Sequence, residues 1–296
     1  SSIVNAIALV SNTLILAFVL LAPASGDDVN LCMLGLANVV CMALPLLAAT
    51  IVVFKGNSLG CRVDFRGFKW RYAKESMSTG LVILFLQLTW VVVATTHPLL
   101  ISILRGPSEV VEFQIYYKVY YTIGAIAAIA LVPIWSAVTK AQAEGNYDWI
   151  IGMYRKYLLL LPLVVVAVCV ASISFIQVGF DVWLGDRTIL VNWSYVVVMT
   201  LFAVVFVLQN VNASIGNGLS FFTVQVVCMG LGAVAMIPLA SFLCALTGSW
   251  IGVVLASIAA IMPFQVVEPI ACVRYLQKLK SKSCSKGARK DTGRVI

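Results

Sequence analysis

The sequence predicts an all-α, polytopic transmembrane helical bundle of eight spans, and three observations carry that prediction. Hydrophobic residues make up 61% of the 296-residue chain and charged residues 11%, with a mean hydropathy of +1.01. That leaves too little polar surface for a domain that faces water on all sides. Eight apolar stretches are each long enough to cross a hydrocarbon layer of about 30 Å as a helix. Seventeen of the twenty Lys and Arg residues then fall in loops and a tail on one side of the membrane, the side on which positive charge is retained. Lipid leaves no water to satisfy backbone amides, so a span must be a helix or part of a closed barrel. These runs lack the alternation of a barrel strand.

The spans fall at Ile3–Ala22, Leu31–Phe54, Thr79–Leu104, Phe113–Ala137, Tyr157–Gly179, Trp193–Ala213, Phe222–Gly248 and Trp250–Pro269. The first two, within residues 1–54, belong to one lobe. The break Lys55–Glu75 carries Lys55, Arg62, Arg66, Lys69, Arg71 and Lys74, and divides them from a six-span unit over residues 76–270. Within that break, Arg66–Tyr72 alternates basic and aromatic residues. It reads either as an amphipathic segment on the inner leaflet or as a plain basic loop with interfacial anchors. The loop Val138–Lys156 adds Lys140, Arg155 and Lys156. The tail, 271–296, adds Arg274, Lys278, Lys280, Lys282, Lys286, Arg289, Lys290 and Arg294. An even number of spans puts both ends in the cytoplasm, with Arg105 and Arg187 outside. Pro45, Pro133, Pro162 and Pro263 fall inside the expected helices as kink or hinge positions. The chain opens at Ser1-Ser2-Ile3 without Met or a basic leader, so its first span reads as a segment entered mid-protein rather than as a signal peptide.

Several function classes drop out. The formal net charge of +8 suits anionic lipid headgroups, since the cations sit in loops and tail, and nucleic acid is not needed to explain it. Eight scattered Cys lack a C-x-x-C pair or a neighbouring His, so no metal site is expected and most should pack as small apolar residues. With one His and no acid in mid-span, the chain offers no catalytic constellation. No enzyme activity and no cofactor are expected.

The candidate binding residues are polar groups inside spans. Lys118 lies in the fourth span and His97 near the end of the third, which runs the opposite way, so the two should share a depth. They read either as two cationic groups lining a wet cavity for anionic cargo, or as a lysine snorkelling to the headgroups and a packed histidine. Pro98 frees a carbonyl one turn before His97 and predicts a local break. Gln114 and Tyr121 share a helical face with Lys118, and Tyr117 adds to the aromatic character of the span. The tyrosines suit either a sugar path or an interfacial belt. Gln87 and Trp90, followed by Gln209, Asn210, Asn212, Gln225 and Gln265 on later spans, extend a polar track or bond helix to helix. Glu268, at the inner end of the last span before Pro269, is expected to be a hydrated interfacial carboxylate.

Three passages carry a family likeness: Leu104–Lys118 with its Ile101-Ser102-Ile103-Leu104-Arg105-Gly106 element, Val132-Pro133-Ile134-Trp135-Ser136-Ala137 leading to Ala141–Trp149, and Val182-Trp183-Leu184-Gly185. Together they resemble the Wzx-type flippases of lipid-linked oligosaccharides, the polysaccharide branch of the multidrug/oligosaccharidyl-lipid/polysaccharide exporter superfamily. The turn Gly145-Asn146-Tyr147-Asp148 departs from the tighter Gly-Asp step common there, and His97 stands where members often carry an acid.

The resemblance implies twelve spans in two six-helix lobes, of which this chain holds the last two of one lobe and all six of the other. It implies a flippase for undecaprenyl-diphosphate-linked oligosaccharide in a bacterial inner membrane, working by alternating access in polysaccharide or O-antigen biosynthesis. Membrane lipids and other polysaccharide-assembly proteins are its implied partners. Lys118 and His97 would then attract the diphosphate, and Gln114, Tyr117, Tyr121, Gln87 and Trp90 would line the glycan path. The alternatives are a cation-coupled multidrug exporter, which would want a buried carboxylate, and a membrane glycan polymerase, which would want a large outer loop.

Overall fold

The structure is a computed structural model that describes residues 2–21, 27–55, 69–184 and 191–292. Among these every regular element is helical. Ten α-helices run in chain order: α1 (Ser2–Leu21), α2 (Asp27–Lys55), α3 (Trp70–Trp90), α4 (His97–Leu104), α5 (Pro107–Ile129), α6 (Val132–Ala143), α7 (Tyr147–Leu184), α8 (Trp193–Gly218), α9 (Thr223–Thr247) and α10 (Ile251–Thr292). Seven helical stretches among the described residues are long and apolar enough to span a membrane; α1 contributes the shorter apolar run Ile7–Leu20.

The chain divides into two compact units, Ser1–Glu75 and Ser76–Ile296. In the first, α1 packs against α2 and both leave their large apolar side chains uncovered, as at Leu9, Leu20 and Leu36. Of the basic break, residues 56–68 lie outside the described residues, as do Gly185 and Arg187. Trp70 and Tyr72 are exposed at the start of α3.

In the second unit α8 is central, flanked by α5, α6, α7 and α10, while α9 packs along α10. Its core is a large apolar cluster whose bulkiest members include Trp250, Tyr116, Tyr120, Tyr154, Phe113 and Phe180, with Phe264 in a smaller second cluster beside Cys228 and Met229. Outward-facing Leu159, Val182 and Val234 are bare, as a surface that meets acyl chains should be. Cys169, Cys228, Cys244 and Cys272 are buried free thiols, packing as the sequence suggests. Helix ends alternate between two faces of the unit. One carries Arg105 and the Gly248 turn, the other the Gly145 turn and the tail.

Prolines shape two spans. Pro98 has no N–H for the Ala94 carbonyl, and the helix answers with a π-helical turn over Val91–Thr95 before α4 begins. Thr95 Oγ1 donates to the Val91 carbonyl at 2.7 Å, and the Thr96 hydroxyl donates to the Val92 carbonyl. Broken backbone is tolerated at membrane depth when neighbours cover it; here α9 and α10 pack on the turn. Pro133 likewise splits the expected fourth span into α5 and α6 at Ala130-Leu131, where Leu131 N bonds the Ala128 carbonyl at 2.9 Å in a tighter turn. Pro45, Pro162 and Pro263 stay inside continuous helices.

Several expected limits shift. The third span begins at Trp70 rather than Thr79, so that Arg71 and Lys74 of the expected basic break belong to α3. The fifth span lengthens to the 38-residue α7, and the last does not stop at Pro269 but runs on through most of the tail as the 42-residue α10. Between α6 and α7 the passage Ala141–Trp149 is a capped turn. Gly145 takes φ 75°, Asn146 N donates to the Ala141 carbonyl at 2.9 Å, and the Asn146 side chain accepts from Trp149 N at 3.4 Å. That is the glycine-ended helix stop followed by an Asn start.

Candidate functional site

A cavity of about 260 Å³ opens between α3, α8 and α9, lined by Ile83, Leu86, Gln87, Trp90, Gln209, Asn210, Ala213, Asn217, Gln225 and Met229. Helix geometry assembles it. Gln87 and Trp90 are three residues apart on α3, and Asn210, Ala213 and Asn217 repeat at three- and four-residue steps on α8, so each set shares a face. Five side-chain amides and one indole therefore converge, and the lining holds no charged residue. A second hollow, lined by Ala128, Leu131, Val132, Trp135, Asn210 and Ser214, adjoins it through Asn210 and reaches the α5–α6 break.

An aromatic strip runs away from the cavity toward the Gly248 face. Trp90 lies 5.9 Å from Phe206, Phe206 5.0 Å from Tyr121, and Tyr121 stacks on Tyr117 at 5.2 Å. Offset and tilted rings at such spacings attract one another beyond simple burial. His97 closes the strip. Its ring is 1% exposed and sits between Phe113, Tyr117 and Phe202, with centroids at 5.8, 6.1 and 5.8 Å. The carbonyl of Ala94, freed by Pro98, lies near the ring, but neither ring nitrogen makes a full hydrogen bond.

The predicted residues thus separate by environment. Gln87 and Trp90 line the cavity. Tyr117 and Tyr121 belong to the strip. Gln114, Lys118 and Tyr121 form an exposed stripe along α5, one helical turn between neighbours. His97 and Lys118 do not share a wet cavity as the first reading of them expected: the histidine is packed among rings and the lysine lies on the surface of α5.

Behind the cavity lies a polar chain within the core. Tyr154 Oη donates to Asn212 Oδ1 at 2.7 Å, Asn212 Nδ2 to Gln265 Oε1 at 2.7 Å, and Gln265 Nε2 to Gln209 Oε1 at 3.1 Å. These are the helix-to-helix bonds expected of amides in spans, and they reach the cavity at Gln209. Glu268 corrects the expectation of a hydrated interfacial acid: it is fully buried. Pro269 does not end the helix at that point, and α7, α8 and α9 close over the carboxyl. Sequence reasoning also missed Asn217, although its seven-residue spacing from Asn210 was a usable signal, and it missed Tyr154.

At the opposite face, the passage around Gly106 forms a clasp. Arg105 Nε bonds Glu109 Oε1 at 3.0 Å and its guanidinium reaches the Gly248 carbonyl. Glu109 Oε2 accepts from Trp250 N at 2.9 Å, and Glu112 Oε2 accepts from Trp250 Nε1 at 3.0 Å. The α4–α5 connection is thereby tied to the α9–α10 turn. The charges of this motif hold one helix pair to another.

Comparison of the chain with protein-family models, with curated proteins and with solved structures finds no match. The functional reading therefore rests on the site and on the resemblance in the sequence.

Proposed function

We propose that this chain forms a transport lobe of a flippase that moves a lipid-linked oligosaccharide across a bacterial inner membrane, with the glycan held in the cavity of α3, α8 and α9. One observation carries the reading: five amides and an indole line a cavity free of charged residues inside an apolar bundle. Amides both donate and accept hydrogen bonds, and an indole face stacks on a sugar ring. That set matches a neutral, hydroxyl-rich ligand better than an apolar drug.

The aromatic strip from Trp90 to Tyr121 extends the sugar path. Lys118 lies one turn beyond Tyr121 on α5, where its ammonium suits the diphosphate while the polyprenyl tail stays in lipid. His97 buttresses the strip from behind. Rocking of lobes about a mid-membrane site is the transport geometry that such bundles use. The full protein's second lobe, its assembly partners and the cytoplasmic placement of both ends of this chain belong to the same proposal.

A cation-coupled exporter is the second reading, favoured by the buried carboxyl of Glu268. The two readings part over cargo. In a lipid-linked glycan translocation assay on the full-length protein, Trp90→Ala should cut the rate about tenfold, equivalent to about 1.4 kcal/mol, and Trp90→Phe should keep most of it. Lys118→Ala should reduce transport while Lys118→Arg retains more. Unchanged glycan movement in Trp90→Ala and Lys118→Ala at equal membrane level, together with drug efflux by the wild type, would replace the flippase with the exporter.

A further inference from the structure

Glu268 is an acid placed where a charge has no support. Its Oε1 accepts from the thiol of Cys272 at 3.3 Å, a weak donor, and its Oε2 has no partner. The titratable groups close enough to act on it are Tyr154 on α7, Cys228 on α9 and Cys272 on its own helix. From α8 it faces Gly216. None of these is cationic.

A second buried group is unsatisfied beside it. Gln225 lines the cavity, is 3% exposed, and its Nε2 meets no acceptor. Both groups crowd the bare α-carbon of Gly216: a methyl group built there would lie 2.7 Å from Glu268 Oε1 and 2.9 Å from Gln225 Nε2. The unused amide donor and a carboxyl whose second oxygen is unused thus flank one small gap, and the donor belongs to the cavity wall. Leaving both unpaired is costly, and an uncompensated buried anion costs more.

We infer that Glu268 is a proton-binding site whose occupancy sets the position of the cavity amide Gln225. In the proton-loaded acid the carboxyl is neutral and Gln225 faces the cavity. When the O–H bond breaks, the proton passes to water in the cavity and the electron pair stays on the carboxylate. The anion then draws the Gln225 amide toward the Gly216 gap as its donor, which removes one amide from the cargo surface. Proton release and cargo grip are linked through one side chain. The inference takes the cavity as the cargo site but leaves the cargo open.

The test is infrared difference spectroscopy on the purified full chain in lipid vesicles, titrated with pH at constant sodium. A carbonyl stretch of a protonated carboxylic acid should fade as pH rises, and Glu268→Gln should lack it. Gln225→Leu, which removes the donor to the anion, should raise the midpoint by about one pH unit, and Cys272→Ser, which supplies a stronger donor to Oε1, should lower it. The part of the tryptophan emission that Trp90→Phe removes should follow the same midpoint. A spectrum unchanged in Glu268→Gln, a band that does not titrate, a midpoint indifferent to both Gln225→Leu and Cys272→Ser, or a titration driven by sodium at fixed pH would each overturn the inference. Failure to move a glycan would remove the proposed cargo and leave these spectra standing.

Discussion

Tyr154 illustrates how much a single polar atom can hold inside a bundle. Its hydroxyl is the donor to Asn212 Oδ1 at 2.7 Å, and both residues are fully buried. Tyr154→Phe keeps the ring but orphans the amide oxygen, a cost of about 1–3 kcal/mol. Thermal unfolding in detergent should show a lowered midpoint for Tyr154→Phe, and Asn212→Leu should cost less in that background than it does alone, because the two act as one unit. Additive losses would mean that the bond contributes nothing of its own. Glu268 shows why such residues are hard to judge from the chain alone. A carboxylate just before Pro269 looks like a membrane-edge group, and only packing from three other helices decides that it is enclosed. Gln87 and Trp90, by contrast, were legible. Their three-residue spacing on an otherwise apolar span marks a shared face whatever surrounds it.

At the scale of elements, two prolines mark where spans break, while Pro45, Pro162 and Pro263 sit in unbroken helix, and apolar run length told where the spans lie. Pro98 and Pro133 lack a donor at a fixed point, so the broken turns fall beside them. Helix ends were less legible: α7 and α10 continue past the apolar run because polar helix is stable once its first turns are fixed by packing. The clasp of Arg105, Glu109 and Glu112 on Trp250 was not visible either, since its two halves are 141 residues apart. Glu109→Ala leaves the buried Trp250 N–H without its acceptor, so it should lower the unfolding midpoint by an amount equivalent to about 1–3 kcal/mol, and Glu112→Ala by less. A midpoint insensitive to Glu109→Ala would show that the α4–α5 connection stays on the α9–α10 turn through ring packing alone.

For the whole molecule, composition pointed to the membrane, and long apolar runs without strand alternation pointed to helices rather than a closed barrel. Sidedness rests on the sorting of Lys and Arg, and labelling tests it directly. In a chain whose native cysteines are replaced by serine, a membrane-impermeant thiol reagent should modify Ser281→Cys on α10 in inverted vesicles and not in intact cells, and Thr247→Cys at the opposite face should do the reverse. The converse pattern would invert the bundle and the direction of the proposed transport with it.

The unbroken course of α10 has a mechanical consequence. A rod of 42 residues is about 63 Å long, roughly twice the hydrocarbon thickness, so each degree of tilt displaces its far tip by about 1 Å relative to its root. Lys280 meets Asp148 of α7 at 2.8 Å partway along that lever, an exposed ion pair too weak to hold it fixed. A small rearrangement around Glu268 would therefore be magnified outside the bilayer, where a spin label could register it as a stroke.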